Sequence, residues 1–177
     1  MPNKLLIKKP IYKLIFLFLT VGSLVWTRAV IYLYQHSVPI KLIFSDKHFY
    51  TGREIIWGEI WELLKSSWLF GLGTHHSLSS IPTFNLHNSM LNLLSAYGAL
   101  TAVAFIIFLY TIFKNMVNRV EIYKDRFSKI PLVSFITIMF HGFNELTLFS
   151  ITFLAPILVL FSLLAEYGDE FKIRADE

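Results

Sequence analysis

The chain has 177 residues, of which 55% are hydrophobic and 16% charged, with a mean hydropathy of +0.57; that excludes an ordinary soluble domain of this size. It contains no cysteine, so disulfides and thiolate metal centres are excluded as well. The net charge of +4 would suit a nucleic-acid partner, but the basic residues cluster at the ends of apolar runs, as in membrane proteins, and no nucleic acid is expected.

Residues 1–13 carry Lys4, Lys8, Lys9 and Lys13, and "LIFLFLTVGSLVWT" then runs uncharged from Leu14 to Thr27. Fourteen residues make only about 21 Å of helix, short of the ~30 Å hydrocarbon core, so the first span is predicted over 14–34. Arg28 falls in its far half and can snorkel outward. No small-x-small cleavage site follows, which favours a retained anchor over a cleaved signal peptide.

Within 35–87 the stretch "TGREIIWGEIWELLKSSWLFGLG" predicts a helix over 52–69. Thr51 and Glu54 have capping-box spacing, which points to Thr51 as the N-cap. Ile56, Trp57, Ile60, Trp61, Leu64 and Trp68 recur at helical spacing, and a tryptophan-rich apolar face suits the membrane interface. Gly71 and Gly73 stop the helix.

The second span is predicted over 88–113, 26 residues and about 39 Å. A basic loop, 114–130, follows. The apolar run from Ile130 to Ala165 is too long for one crossing, so spans at 131–144 and 147–166 are predicted to fold as a hairpin around "HGFNE", with a polar tail at 167–177. Basic residues in 1–13 and 114–130 place both on the cytoplasmic side, and 35–87 outside. The expected architecture is an all-α integral membrane protein: one membrane domain of about four transmembrane helices, with an external amphipathic interfacial helix between the first and second.

Few residues carry chemistry. Arg53 puts a cation at the positive end of a helix dipole, where a carboxylate would be favoured, so it suggests an anion site unless Glu54 merely neutralises it. His87 and Asn88 open the second span at its outer end, where backbone N–H groups attract anions. Asn88 fits an N-cap, and His87 is the residue type whose charge changes near neutral pH, suited to accept a proton. His141 and Glu145 are four apart, which would put them on one helix face near the outer mouth, paired with each other or with Arg53 or Arg28. The spacing of His75, His76 and His87 matches no zinc pattern, and no metal or cofactor is expected. "FGLGTHHS" lacks the third glycine and preceding strand of a dinucleotide site.

The order of "TGREIIWGEIWELLKSSWLFGLG", an irregular loop, "HNSMLNLLSAYGALTAVAFI", a basic loop and an apolar hairpin with a glutamate resembles the C-terminal half of the O-antigen ligase and polysaccharide polymerase superfamily. The likeness covers 51 to about 113 by motif and 114–166 by topology, and Trp68 replaces the usual proline. It implies metal-independent transfer of a glycan from undecaprenyl pyrophosphate to the hydroxyl of a glycan or lipid acceptor, on the outer face of the bacterial cytoplasmic membrane. It further implies Arg53 as pyrophosphate ligand and His87 as base, with Asn88, Glu145 and Arg28 as substrate-binding candidates. Family members are about twice this length, so the implied partners include a missing N-terminal half or other polysaccharide assembly proteins. The competing expectation is a truncated, non-catalytic membrane protein or accessory subunit of a polysaccharide export system.

Overall fold

The computed structural model describes residues 9–40, 49–74, 77–78, 86–123 and 129–145. Among these, all regular structure is helical. The predicted span 147–166, the tail 167–177, His75 and His76 lie outside the described residues.

The first rod is α1 (Lys9–Leu17), a π-turn (Phe18–Gly22) and α2 (Ser23–Gln35) in succession. Pro10–Gln35, 26 residues, is apolar and long enough to cross a membrane. The π-turn has local causes. The Thr20 hydroxyl donates back to the Phe16 carbonyl at 2.9 Å, and Gly22 makes room for the Phe18 ring, which would lie 3.1 Å from any Cβ there. An extra residue in one turn rotates everything beyond it by about 100°. Ser23 and Thr27 are thereby buried in the protein.

Helix α3 (Arg53–Ser67) buries Ile56, Trp57, Ile60 and Leu64 against Val30 and Ile31 of α2. The Trp61 indole N–H donates to the Thr27 hydroxyl at 3.0 Å, tying the two helices by a polar contact as well. The helix start differs from the capping box expected at Thr51. Gly52, at φ 89°, is the N-cap, and Glu54 accepts the Gly52 N–H at 3.0 Å. The left-handed turn that only glycine adopts cheaply moves the cap one residue on and leaves Thr51 exposed.

Helix α4 (Ser89–Tyr123) is apolar enough to cross a membrane over Ser89–Ile122. It is not continuous: Gly98, at φ 78° and ψ 177°, divides it into residues 89–97 and 99–123. The break exposes orphan backbone groups on both sides, and the end of α3 satisfies them. Ala99 and Leu100 donate to the carbonyls of Trp68 and Leu69, while Leu72 and Gly73 donate to those of Ser95 and Ala96. Two chain breaks thus cap each other. Beyond Gly98 the helix continues through Phe113, Lys114 and Arg119 to Tyr123, past the end expected at 113.

Helix α5 (Lys129–His141) has 13 residues, about 20 Å, shorter than the hydrocarbon core. It turns at Gly142–Asn144. Tyr12, Phe16, Leu109, Phe113, Met116 and Phe135 form one core among α1, α4 and α5; the second lies between α2 and α3 and includes Leu86 and Leu91. Leu14, Leu17, Val103, Ile107, Ile130 and Val133 are exposed on the outside of the bundle, a surface suited to lipid.

Candidate functional site

The two cores meet at the start of α4, where Asn88 is completely buried. Its Oδ1 accepts the Leu91 N–H at 2.8 Å, which is N-capping geometry. Its Nδ2 donates to the Phe143 carbonyl at 2.8 Å and to the Ser23 hydroxyl oxygen at 3.0 Å. One amide therefore caps its own helix and also joins the first rod to the turn after α5. This is more than the cap that the sequence suggested.

Ser89 completes the clamp. Its N–H donates to the Gly142 carbonyl at 2.8 Å, and its hydroxyl donates to the Glu145 carbonyl at 2.9 Å. A Cβ at position 142 would approach the Ser89 Oγ and the Met139 carbonyl to 3.1 Å each, so glycine allows this close docking. The turn 142–145 is held at three carbonyls, and Glu145 is delivered to one place.

That place adjoins His87 and Arg53. The Glu145 Oε2 lies 3.0 Å from His87 Nδ1, and its Oε1 lies 3.5 Å from an Arg53 guanidinium nitrogen. Three residues far apart in sequence share one carboxylate. His87 stands at φ 47°, a left-handed conformation uncommon outside glycine. The strain is sustained from both sides: Asn88 is fixed as described, and the Leu86 carbonyl accepts the Trp57 indole N–H at 2.6 Å. Trp57 lies one turn along α3 from Arg53, so this bond also sets the histidine against the helix that carries the arginine.

The side chains of Arg53 and His87 are 31% exposed and that of Glu145 is 41% exposed. Ion pairs this open contribute about 1 kcal/mol or less to stability. They can, however, be reached by a ligand. An ionised carboxylate only accepts hydrogen bonds, so His87 donates its Nδ1–H to Glu145, and in the neutral imidazole the lone pair is then on Nε2. With neutral imidazole the trio balances one cation against one anion.

The sequence-predicted residues divide accordingly. Arg53, His87, Asn88 and Glu145 come together. Arg28 goes elsewhere, its guanidinium carbon 4.4 Å from the centroid of the Trp61 ring. Glu54 accepts from Gly52, and Glu145 is the carboxylate that meets Arg53. His141 and Glu145 do not share a helix face, because α5 ends at His141 and the chain turns before Glu145. Sequence reasoning overlooked Ser23, Ser89, Gly142 and the clamping role of Trp57. The available signals were a serine inside an apolar run and the glycine of "HGFNE". Among the described residues, no group of three or more His, Asp or Glu side chains is arranged to hold a metal ion. Comparison of the chain with protein-family models, with curated proteins and with solved structures gives no match.

Proposed function

We propose that this chain is a membrane glycosyltransferase of the O-antigen ligase or polysaccharide polymerase type, working on the outer face of the bacterial cytoplasmic membrane as a multi-pass protein. The observation that carries the reading is the convergence of Arg53, His87 and Glu145 at two helix starts and one turn. In the proposed reaction an acceptor hydroxyl attacks the anomeric carbon of a glycan linked to undecaprenyl pyrophosphate. The new C–O bond forms as the bond to the pyrophosphate oxygen breaks on the opposite face, with inversion. His87 Nε2 takes the hydroxyl proton and Glu145 stabilises the imidazolium. The electron pair leaves with the lipid pyrophosphate, whose charge Arg53 balances.

Two features of the trio support this assignment. A planar guanidinium matches phosphate oxygens in pairs, and fixed charge placed where negative charge develops is usually a large catalytic term. A general base contributes on the order of 10²- to 10⁴-fold, the loss expected for His87→Ala. The test is complementation of a strain lacking its ligase or polymerase, with this chain alone and with any upstream partner. Arg53→Lys and His87→Ala are expected to abolish glycan banding at unchanged protein level, whereas His75→Ala leaves it intact. Normal banding from His87→Ala would remove the proposed base.

A second reading, a non-catalytic or accessory membrane protein, draws on the same ion pair. Glu145 neutralises Arg53, as it would in a purely structural clamp. Under that reading Arg53→Lys and Glu145→Gln change protein level and banding in parallel.

A further inference from the structure

At the far end of the first rod lies a cavity of about 140 Å³ between α1 and α4. Tyr12 of its lining is eleven residues before Ser23, about 17 Å along the helix from the level of the trio. It is a separate site. Its floor is formed by Tyr12, Phe113 and Val117, all buried, and is apolar apart from the Tyr12 hydroxyl, which faces the Glu121 charge. Its rim carries Lys13 from α1, and Lys114, Asn118 and Glu121 from α4. The α4 residues recur at intervals of four and three and so share one helix face. Two cations thus stand against one carboxylate.

The surroundings define what such a cavity can take. Lys13 ends the basic N-terminal segment, and Lys114 is the first charged residue after the apolar half of α4. Immediately beyond Lys13 the outer surface is apolar, with Leu14 and Leu17 exposed. Among the described residues neither lysine enters an ion pair. A rim of net positive charge over a largely apolar floor, at the level where an apolar stripe begins, complements a molecule with a phosphate at one end and acyl chains at the other. We infer that this cavity binds the phosphate headgroup of an anionic phospholipid in the cytoplasmic leaflet, with Lys13 and Lys114 as its ligands. The inference rests on the membrane orientation proposed above, not on the chemistry at His87.

The experiment uses the full chain purified in a mild non-ionic detergent and titrated with short-chain phosphatidylglycerol or, separately, short-chain phosphatidylcholine. Phosphatidylglycerol is expected to bind more tightly, and its affinity to fall roughly thirtyfold in the Lys13→Ala, Lys114→Ala double variant, the factor two lysines supply against an anionic headgroup. Lys65→Ala, on α3, is the control and leaves binding unchanged. Equal affinities for both lipids, or an unchanged affinity in the double variant, overturns the assignment. Inorganic phosphate at matched concentration is the second arm: competition as effective as that of the lipid would make this a site for a soluble anion. Flotation of the wild-type chain with vesicles, measured in parallel, separates the premises. A chain that floats without headgroup preference sinks this inference alone, whereas one that does not float sinks the membrane reading.

Discussion

Around Phe113 the helices meet through rings, and around Asn88 they meet through hydrogen bonds. At the first place Phe16 and Phe135 each stack 5.4 Å from Phe113, centroid to centroid. At the second, buried Asn88, Ser89 and Ser23 fasten three chain segments by donors and acceptors. Ring packing is tolerant of small displacements and gives stability; a hydrogen-bonded clamp is directional and gives position. The difference assigns the aromatic end to holding the bundle and the polar end to aiming Glu145.

Substitutions can break or sharpen that contrast. The largest effect belongs to Gly98→Ala, because a Cβ there would overlap the Leu69 carbonyl. Strain at positive φ of about 1–2 kcal/mol and overpacking of about 1–3 kcal/mol predict loss of folded protein, read as loss of the monodisperse peak on size exclusion. Both ends depend on this crossing.

Phe113→Ala comes next, at about 3 kcal/mol: near the low end for aromatic truncation, because lipid tails relieve part of the exposure. Thermal unfolding in detergent measures it, and the glycan transfer proposed above, where it is measurable in the wild-type chain, is expected to persist below the lowered midpoint. If activity vanished while the fold survived, the aromatic end would have a positional role too.

Asn88→Ala is expected to cost about 2 kcal/mol, combining a lost cap with an unsatisfied carbonyl at Phe143. Asn88→Asp sharpens the result. It keeps the acceptor for Leu91 but removes the donor to Phe143, so activity should fall although the cap remains.

Ser89→Ala is predicted to remove about 1 kcal/mol of stability, one hydrogen bond, yet to lower the proposed transfer out of proportion, because the Glu145 carbonyl is released. Unchanged kcat in Ser89→Ala would mean that the turn needs no such tether. The smallest effect is expected from Glu62→Ala, whose exposed pair with Lys65 contributes less than about 0.5 kcal/mol.

Some of this organisation is legible in the residues alone. Arg53 and His87 each violate a local preference, a cation at a positive helix end and a histidine before an apolar run, and such conflicts mark sites. Glu145 stands out as a carboxylate in an apolar stretch. A pair between Glu145 and Arg53 is among the alternatives that the residues leave open; that it is the one formed, and that His87 joins it, is not legible, since it depends on where α5 stops. The hairpin expected around "HGFNE" implies a turn, but nothing in the run except one glycine places the end of the helix at His141 and not at 144. Gly98 is hidden for the same reason: glycine is common in membrane spans, and its φ becomes meaningful only once the end of α3 is seen to lie against it. Arg28 stands apart from the trio, and the face of the Trp61 ring receives its charge. The cap shifted from Thr51 to Gly52 because two adjacent residues could each start the helix, and the backbone turn decided between them.

The shared carboxylate has a consequence for biosynthesis. Glu145 is 58 residues downstream of His87, so at roughly 5–20 residues per second it is made about 3–12 s later. During that interval Arg53 and His87 lack the carboxylate that both meet in the folded chain. A chain that stalls on the ribosome before residue 145 has the arginine and the histidine but not the carboxylate they share. Completion of the turn is therefore the last step in assembling the trio, after both of its other members have been made.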